Sequence, residues 1–261
     1  MTDETSGDLL GLRPFADAVK IATQGTVDGA SAFLGRICLP AAEEFGLLLQ
    51  DKVREFRTKN LIAAASTAER IVGDADVHAE PRTLSKILDE ASWIDDAYLQ
   101  DMWGGLLASS CTEHGDDDSN LMFLNILTNM TKAQARLLDY ICGRSNIFVA
   151  ENGLPWGEEL KLTPVEVSET TGYDDLFRMD RELDHMRALE IIGGGFQIHE
   201  EDASVRITAI GIGLYVRCKG SRLSPKEFLD LEVKTPPDIV AMLSATGGDL
   251  QADPSTHNDQ A

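Results

Sequence analysis

The chain has little positive charge and no long apolar run. Its 261 residues include 23 lysines and arginines against 44 aspartates and glutamates, which gives a formal net charge of −21. A phosphate backbone repels such a chain, so non-specific binding to nucleic acid is disfavoured. No stretch approaches the roughly 18 uncharged apolar residues of a membrane-spanning helix. We therefore expect neither nucleic-acid binding nor integral membrane insertion.

Cysteines are few and far apart. Cys38, Cys111, Cys142 and Cys218 form no CxxC pair, a pattern typical of free thiols in a reducing compartment rather than of a disulfide framework. The first ten residues, "MTDETSGDLL", are acidic and polar, whereas a secretory signal begins with positive charge. These features predict a soluble cytoplasmic protein.

Motifs of catalysis and metal binding are also missing. The sequence contains no GxSxG, P-loop or HExxH motif. Cys111, His114 and the aspartates at 116–118 share one loop, but their spacing fits neither a zinc nor a calcium template. We expect no enzymatic activity, no catalytic residues, no cofactor and no metal site. A cysteine–histidine pair assembled by the fold stays open, although nothing in the sequence favours one.

The spacing of the apolar residues predicts a mainly α fold in two parts. A helical domain is expected over residues 13–128, and a winged-helix-like α+β module over residues 131–220. The module would comprise three helices and a hairpin of the strands "FQIH" and "SVRIT". Residues 1–12 are predicted to be a flexible tail, and residues 221–261 an acidic tail that is largely disordered.

Several side chains suit the starts of these helices. Serine, threonine and aspartate at such positions accept hydrogen bonds from the first free amides of a helix. A glutamine or glutamate three residues later completes a capping box. The predicted N-caps are Thr83, Asp95, Thr131 and Thr163, the last two in capping boxes with Gln134 and Glu166.

The stretch "YLQDMWGGLLASS" at 98–110 combines an apolar stripe with two adjacent glycines. Leu99, Trp103 and Leu106 recur at helical spacing and are predicted to anchor the core. Gly104 and Gly105 inside this helix cost about 2 kcal/mol relative to alanines. Because Gly104 borders the stripe, we expect a neighbouring helix to approach its backbone closely.

The segment "KVREFRTK" at 52–59 holds the one local cluster of positive charge. Lys52, Arg54, Arg57 and Lys59 stand there against a single acidic residue, Glu55. One hypothesis is a binding surface for an anion or an acidic partner. The alternative is a solvated helix face whose cations pair with Glu55 or with acidic helices of the same chain.

The helix that would enter the DNA major groove in a winged-helix protein is acidic here. Residues 174–190 carry six acidic side chains and three arginines. Base and phosphate contacts require an excess of arginine, lysine, asparagine or glutamine. The composition therefore favours protein contact or a structural role for this helix.

Three blocks of the sequence resemble the abortive infection alpha (Abi-alpha) family of bacterial anti-phage proteins. The blocks are "LPAAEEFGLLLQDKVREFRTKN" (39–60), "LDEASWIDDAYLQDMWGGLLASS" (88–110) and "MTKAQARLLDYI" (130–141). Their order and gaps make the combination more specific than any one block. The resemblance is strongest over residues 39–141 and looser to about residue 220.

Two positions depart from the family pattern. Members usually carry a small and then a polar residue after the tryptophan, where this chain has Gly104 and Gly105. Their closing segment often reads Thr-Pro, whereas Thr208 is followed here by Ala209. Both changes look compatible with the fold. The resemblance implies a role in phage defence, and it brings no catalytic residues to carry over.

We therefore expect a non-enzymatic component of bacterial phage defence that acts through protein–protein contact with a host or phage protein. Two alternatives stay open. The first is a nucleic-acid-binding regulator that uses the winged-helix module and the cluster around Arg54 and Arg57. The second is a membrane-perturbing effector that uses the small-residue N-terminal segment. Homo-oligomerisation is compatible with the small-residue helix faces.

Overall fold

The computed structural model describes residues 51–233, with side chains from residue 55 onward. The predicted tail at 1–12, the small-residue segment at 13–39 and Cys38 lie outside the described residues. None of the helices in the described part combines the length and the apolar character that a membrane span requires.

This part of the chain is mainly α-helical, as predicted, and its short strands pair antiparallel. The helices are α1 (Asp51–Val72), α2 (Pro81–Ser92), α3 (Ala97–Ser110), α4 (Leu121–Thr128), α5 (Lys132–Arg144), α6 (Pro164–Thr171), α7 (Leu176–Ala188), α8 (Ala209–Cys218) and α9 (Pro225–Phe228). The strands are β1 (His78–Ala79), β2 (Cys111–Thr112), β3 (Ile147–Val149), β4 (Pro155–Gly157), β5 (Leu160–Leu162), β6 (Ile192–Gly195) and β7 (Ala203–Ile207). Strand β1 pairs with β2, β3 pairs with β4, and the third sheet has the order β5-β7-β6.

Helix α3 contacts the backbones of two other helices at its adjacent glycines. A Cβ atom at Gly104 would lie 2.6 Å from the Ala64 carbonyl oxygen of α1, and one at Gly105 would lie 1.8 Å from the Cys218 carbonyl oxygen of α8. Neither position has room for any side chain. The close approach predicted at Gly104 is confirmed, and a second one exists at Gly105.

A single hydrophobic cluster includes residues from both predicted domains. Trp103 is 1% exposed and Leu106 is 0% exposed at its centre. The same cluster contains Leu162 and Leu183 from the second predicted domain. Helix α8, near the end of that domain, packs directly against α3. The domain boundary near residues 128–131 stays a prediction.

Both predicted capping boxes are confirmed. Thr131 and Gln134 form one at the start of α5, and Thr163 and Glu166 form the other at the start of α6. In each box the threonine hydroxyl accepts from the third helical amide, while the longer side chain accepts from the threonine amide. These local signals fix where the two helices begin.

The other two predicted N-caps are wrong. Helix α2 begins after Glu80 rather than Thr83, because the Glu80 carboxylate accepts from two free amides and Pro81 suits the first helical position. Helix α3 begins after Asp96, one residue later than the predicted Asp95. A glutamate N-cap has little sequence signal, since shorter polar side chains dominate at this position.

The predicted hairpin exists with a different first strand. Strand β6 consists of Ile192 and the glycines at 193–195, and residues 196–199, the predicted first strand, lie in the connection to β7. Gly194 stands opposite Val205 in the pairing. A strand of glycines has no alternating side-chain pattern, so its period cannot be detected. Strand β5 adds to the other side of β7, which makes three strands.

The buried carboxylate of Glu182 fixes α7 against the start of α5. Glu182 is 5% exposed, and its Oε2 accepts hydrogen bonds from Thr131 Oγ1 and Gln134 Nε2, both at 2.8 Å. The positive end of the α5 dipole adds to the stabilisation of this charge. The contact holds one side of α7 inward and leaves the opposite side to solvent.

The first residues of the predicted C-terminal tail pack onto the helical core. Arg222 Nη1 donates a hydrogen bond to the Cys111 carbonyl oxygen at 2.9 Å, and Val233 forms a bridge with Val149. Helix α9 lies between them and is capped by Ser224. Residues 234–261 lie outside the described part, so the predicted disorder there stays a prediction.

We expect Gly105→Ala to lower the free energy of unfolding by about 3 kcal/mol or more, because its Cβ would overlap the Cys218 carbonyl. Gly143→Ala is the matched control, since Gly143 also lies in a helix but has no neighbour within 4 Å of an added Cβ. That control should gain up to about 1 kcal/mol from helix propensity. Urea denaturation measures both changes, and equal stability of the two variants would contradict the close approach.

We expect Glu166 to contribute to acid sensitivity. Hydrogen bonds from Thr163, Arg144 and Tyr140 lower its pKa from 4.5 to about 2. A lowered folded-state pKa gives stability that is complete above pH 4.5 and is lost as the pH falls from there toward 2. Glu166→Gln should therefore lower Tm at pH 7 and flatten its fall over this range, compared with Glu169→Gln. Parallel Tm curves for the two variants would contradict this role.

Candidate functional site

Arg57, at the centre of the predicted basic cluster, is bound within the fold. Its Nε donates to Ser92 Oγ at 2.7 Å, and its Nη2 forms an ion pair with Asp89. The guanidinium lies over the Trp93 ring at 4.4 Å from the ring centroid. Only 16% of the side chain is exposed. Arg57 thus joins α1 to the end of α2.

The other members of the cluster are placed differently. Lys59 is exposed on α1, while the side chains of Lys52 and Arg54 lie outside the described residues. Because Arg57 pairs with Asp89 of α2, it behaves as the alternative hypothesis expects, as a cation that complements an acidic helix of the same chain. Binding of an outside anion by the four residues stays a prediction.

A buried hydrogen-bond network of the Asn60 and Gln100 side-chain amides lies next to the Arg57 contacts. Asn60 is 2% exposed, and its Nδ2 donates to the Ser92 carbonyl oxygen at 3.0 Å. Its Oδ1 accepts from Gln100 Nε2 at 3.1 Å. Sequence reasoning missed this network because its members come from three separate segments. It makes the α1–α2 contact a rigid structural joint.

The predicted anchors of α3 lie inside the core. Trp103 is 1% exposed, Leu106 is 0% exposed and Leu99 is 6% exposed. All three lie in the hydrophobic cluster that extends across the described part of the chain. They position α3 and offer no surface to a ligand.

Two of the cysteines are poorly suited to nucleophilic chemistry. Burial raises the pKa of Cys142 and of Cys218 far above the usual range, so both thiols stay protonated at neutral pH. Cys111 is buried as well. No three His, Cys, Asp or Glu side chains within the described residues are grouped so that they could hold a metal ion.

The outward face of α7 carries an exposed aromatic ring. Phe177 is 73% exposed and Leu176 is 52% exposed at the start of this helix. The buried stripe of α7 runs through Met179, Leu183 and Met186, at spacings of four and three. Phe177 falls off that stripe, so its periodicity could have identified it as a surface residue. The charge composition of the helix gave no indication of this exposed aromatic.

The arginines of α7 are largely engaged by neighbours. Arg178 lies over the Tyr173 ring at 3.6 Å from the centroid, and Arg187 pairs with Asp184 at 2.7 Å. Arg181 is exposed and takes part in no ion pair of the described residues. The face therefore offers an aromatic side chain, one free cation and several carboxylates. This combination suits contact with a protein better than contact with a phosphate backbone.

We expect Arg57→Ala to lower the free energy of unfolding by about 2 kcal/mol, because it leaves the Asp89 carboxylate and the Trp93 ring without their partner. Lys59→Ala, the neighbouring exposed cation, should change it by about 0.5 kcal/mol or less. Chemical denaturation of both variants gives the comparison. If Arg57→Ala left the free energy of unfolding unchanged, the guanidinium would not be held by the fold and would be free for a ligand.

Comparison with known proteins supports one assignment. The sequence model of the family described as "Abortive infection alpha" matches residues 49–209, which is more than half of the 261 residues. Neither the curated proteins nor the solved structures give a match. The matched range includes the Arg57 joint, the two glycines of α3 and the outward face of α7. The chain belongs to the abortive infection alpha family.

Proposed function

We propose that the protein is a non-enzymatic component of bacterial phage defence, of the abortive infection type, and that it acts through contact with a host or phage protein. Family membership supports the defence role. One observation carries the proposed mode of action: Phe177 is 73% exposed on the outward face of α7. Aromatic residues, phenylalanine among them, are enriched at protein interfaces relative to the rest of the surface.

The interpretation of residues 131–220 as a winged-helix-like module belongs to this proposal. After α5 and the paired strands β3 and β4, the elements follow in the order β5, α6, α7, β6 and β7, and the sheet order β5-β7-β6 agrees with that topology. In this arrangement α7 occupies the place of a recognition helix. Asp174 and Asp175 are exposed just before this helix and Asp184 is exposed on it, and these carboxylates disfavour DNA, so we assign the helix to a protein partner.

The same proposal places the protein in the cytoplasm. Cys142 and Cys218 are free thiols, which a reducing compartment maintains.

The nucleic-acid alternative loses its central residue, because Arg57 is taken up by Asp89 and Ser92. Salt-dependent retention on heparin would favour it again, and Lys59→Glu should then abolish that retention. The membrane alternative depends on residues 13–39, which lie outside the described part. Co-sedimentation with anionic vesicles that is lost on deletion of residues 1–38 would favour it.

We expect Phe177→Asp to abolish protection against phage, because loss of an interface aromatic weakens a contact by about tenfold or more. The matched control is Met122→Asp, since Met122 is 50% exposed and is also the second residue of its helix. Aspartate is favourable at that helical position in both variants, so both should fold. The measurements are plating efficiency and host survival at high phage dose in a bacterium that expresses each variant.

Protection by the wild type and Met122→Asp, but not by Phe177→Asp, would support contact through α7. Equal protection by all three would exclude this face. Absence of protection by the wild type against a broad phage panel would contradict the defence role itself.

A further inference from the structure

An open pocket of about 510 Å³ lies beside the connection between β6 and β7. Gly194 of β6 and Ser204 of β7 line it, together with Glu159, which comes just before β5, and with Ile198 and Glu200 of the connection. A Cβ atom at Gly194 would lie 2.0 Å from the Ser204 carbonyl oxygen, so the pocket has bare backbone at this position. We call this concavity the hairpin pocket.

The hairpin pocket is bordered by negative charge. Glu159 is exposed and takes part in no ion pair of the described residues. Glu200 forms an ion pair with Lys161 at 3.5 Å, in which both side chains are half exposed. The connection at 196–202 contains three acidic residues and neither lysine nor arginine. An exposed pair such as Lys161–Glu200 is weak, so an incoming cation can compete for this carboxylate.

One apolar side chain, Ile198, lies at the edge of the hairpin pocket. It is 97% exposed, the highest value among the large apolar residues of the described part. A small inorganic cation would gain nothing from this side chain. Lysine and arginine side chains combine an aliphatic stem with a charged end, and they cover apolar surface while they pair with a carboxylate.

We propose that the hairpin pocket binds a lysine or arginine side chain from a basic segment of a protein partner. The aliphatic stem packs against Ile198, and the charged end lies between Glu159 and Glu200. The inference rests on the proposed function, since it takes the cation from a protein. The partner would then contact the hairpin pocket as well as Phe177, and the segment in the pocket would be basic.

The test is an NMR titration of the full-length ¹⁵N-labelled protein with a synthetic peptide of alternating arginine and glycine. The control peptide has citrulline in place of arginine, which keeps the shape and removes the charge. The arginine peptide should shift the amide signals of Gly194, Ile198 and Ser204, whereas the citrulline peptide should leave them in place.

Two charge-matched double variants separate a site from general attraction to an acidic protein. Glu159→Gln/Glu200→Gln should weaken binding of the arginine peptide about tenfold. Asp116→Asn/Asp118→Asn removes two exposed carboxylates from the loop before α4 and should leave binding within about twofold. Equal weakening by both variants, or shifts spread over the whole surface, would overturn the inference.

Phage plating of the wild type beside the peptide titration keeps this inference distinct from the proposed function. Full wild-type protection without any peptide binding at the hairpin pocket would overturn the inference and leave the proposed function standing. Specific peptide binding by a wild-type protein that gives no protection would overturn the proposed function and leave the pocket's ligand class standing.

Discussion

The fold depends on two helices that reach the backbone of α3 at adjacent residues. Helix α1 contacts Gly104, and the end of α8 contacts Gly105. Where backbones meet without side chains between them, the main chain itself fixes the distance between the helices. The lost helix propensity of the two glycines, about 2 kcal/mol, is offset by the dispersion contacts of this close packing. The arrangement joins the first described helix to the last long one through a common neighbour.

This constraint explains why the outward face of α7 is a stable platform. Helix α5 packs against both α3 and α8, and the Glu182 carboxylate connects α7 to the start of α5. Strands β6 and β7 leave from the end of α7 and lead directly into α8. The hairpin is therefore fixed to the core at both ends, through α7 before β6 and through α8 after β7. Phe177 lies on an element that is fixed to the core, and the hairpin pocket is lined by such elements.

Sequence reasoning succeeded where the signal is local. The capping boxes at Thr131 and Thr163 depend on residues three positions apart, and both are confirmed. It failed for Arg57, whose partners Asp89 and Ser92 lie 32 and 35 residues further along the chain. The contact between Gly105 and Cys218 spans an even longer separation. No single-sequence pattern encodes such pairs. Phe177 is an intermediate case, because the periodicity of α7 was sufficient to place it outside the buried stripe.

The placement of charge sharpens the argument for a basic protein partner. Many cations of the described part form ion pairs within the fold. Examples are Arg136 with Asp96, Arg144 with Glu166 and Lys219 with Asp139. The acidic excess of the described part consequently includes exposed carboxylates such as Glu159, which forms no ion pair there. A field of this sign attracts basic surfaces over about a Debye length and repels nucleic acid. Such a field selects the sign of the partner and sets no orientation. Orientation requires short-range features on rigid elements, and the ring of Phe177 is such a feature.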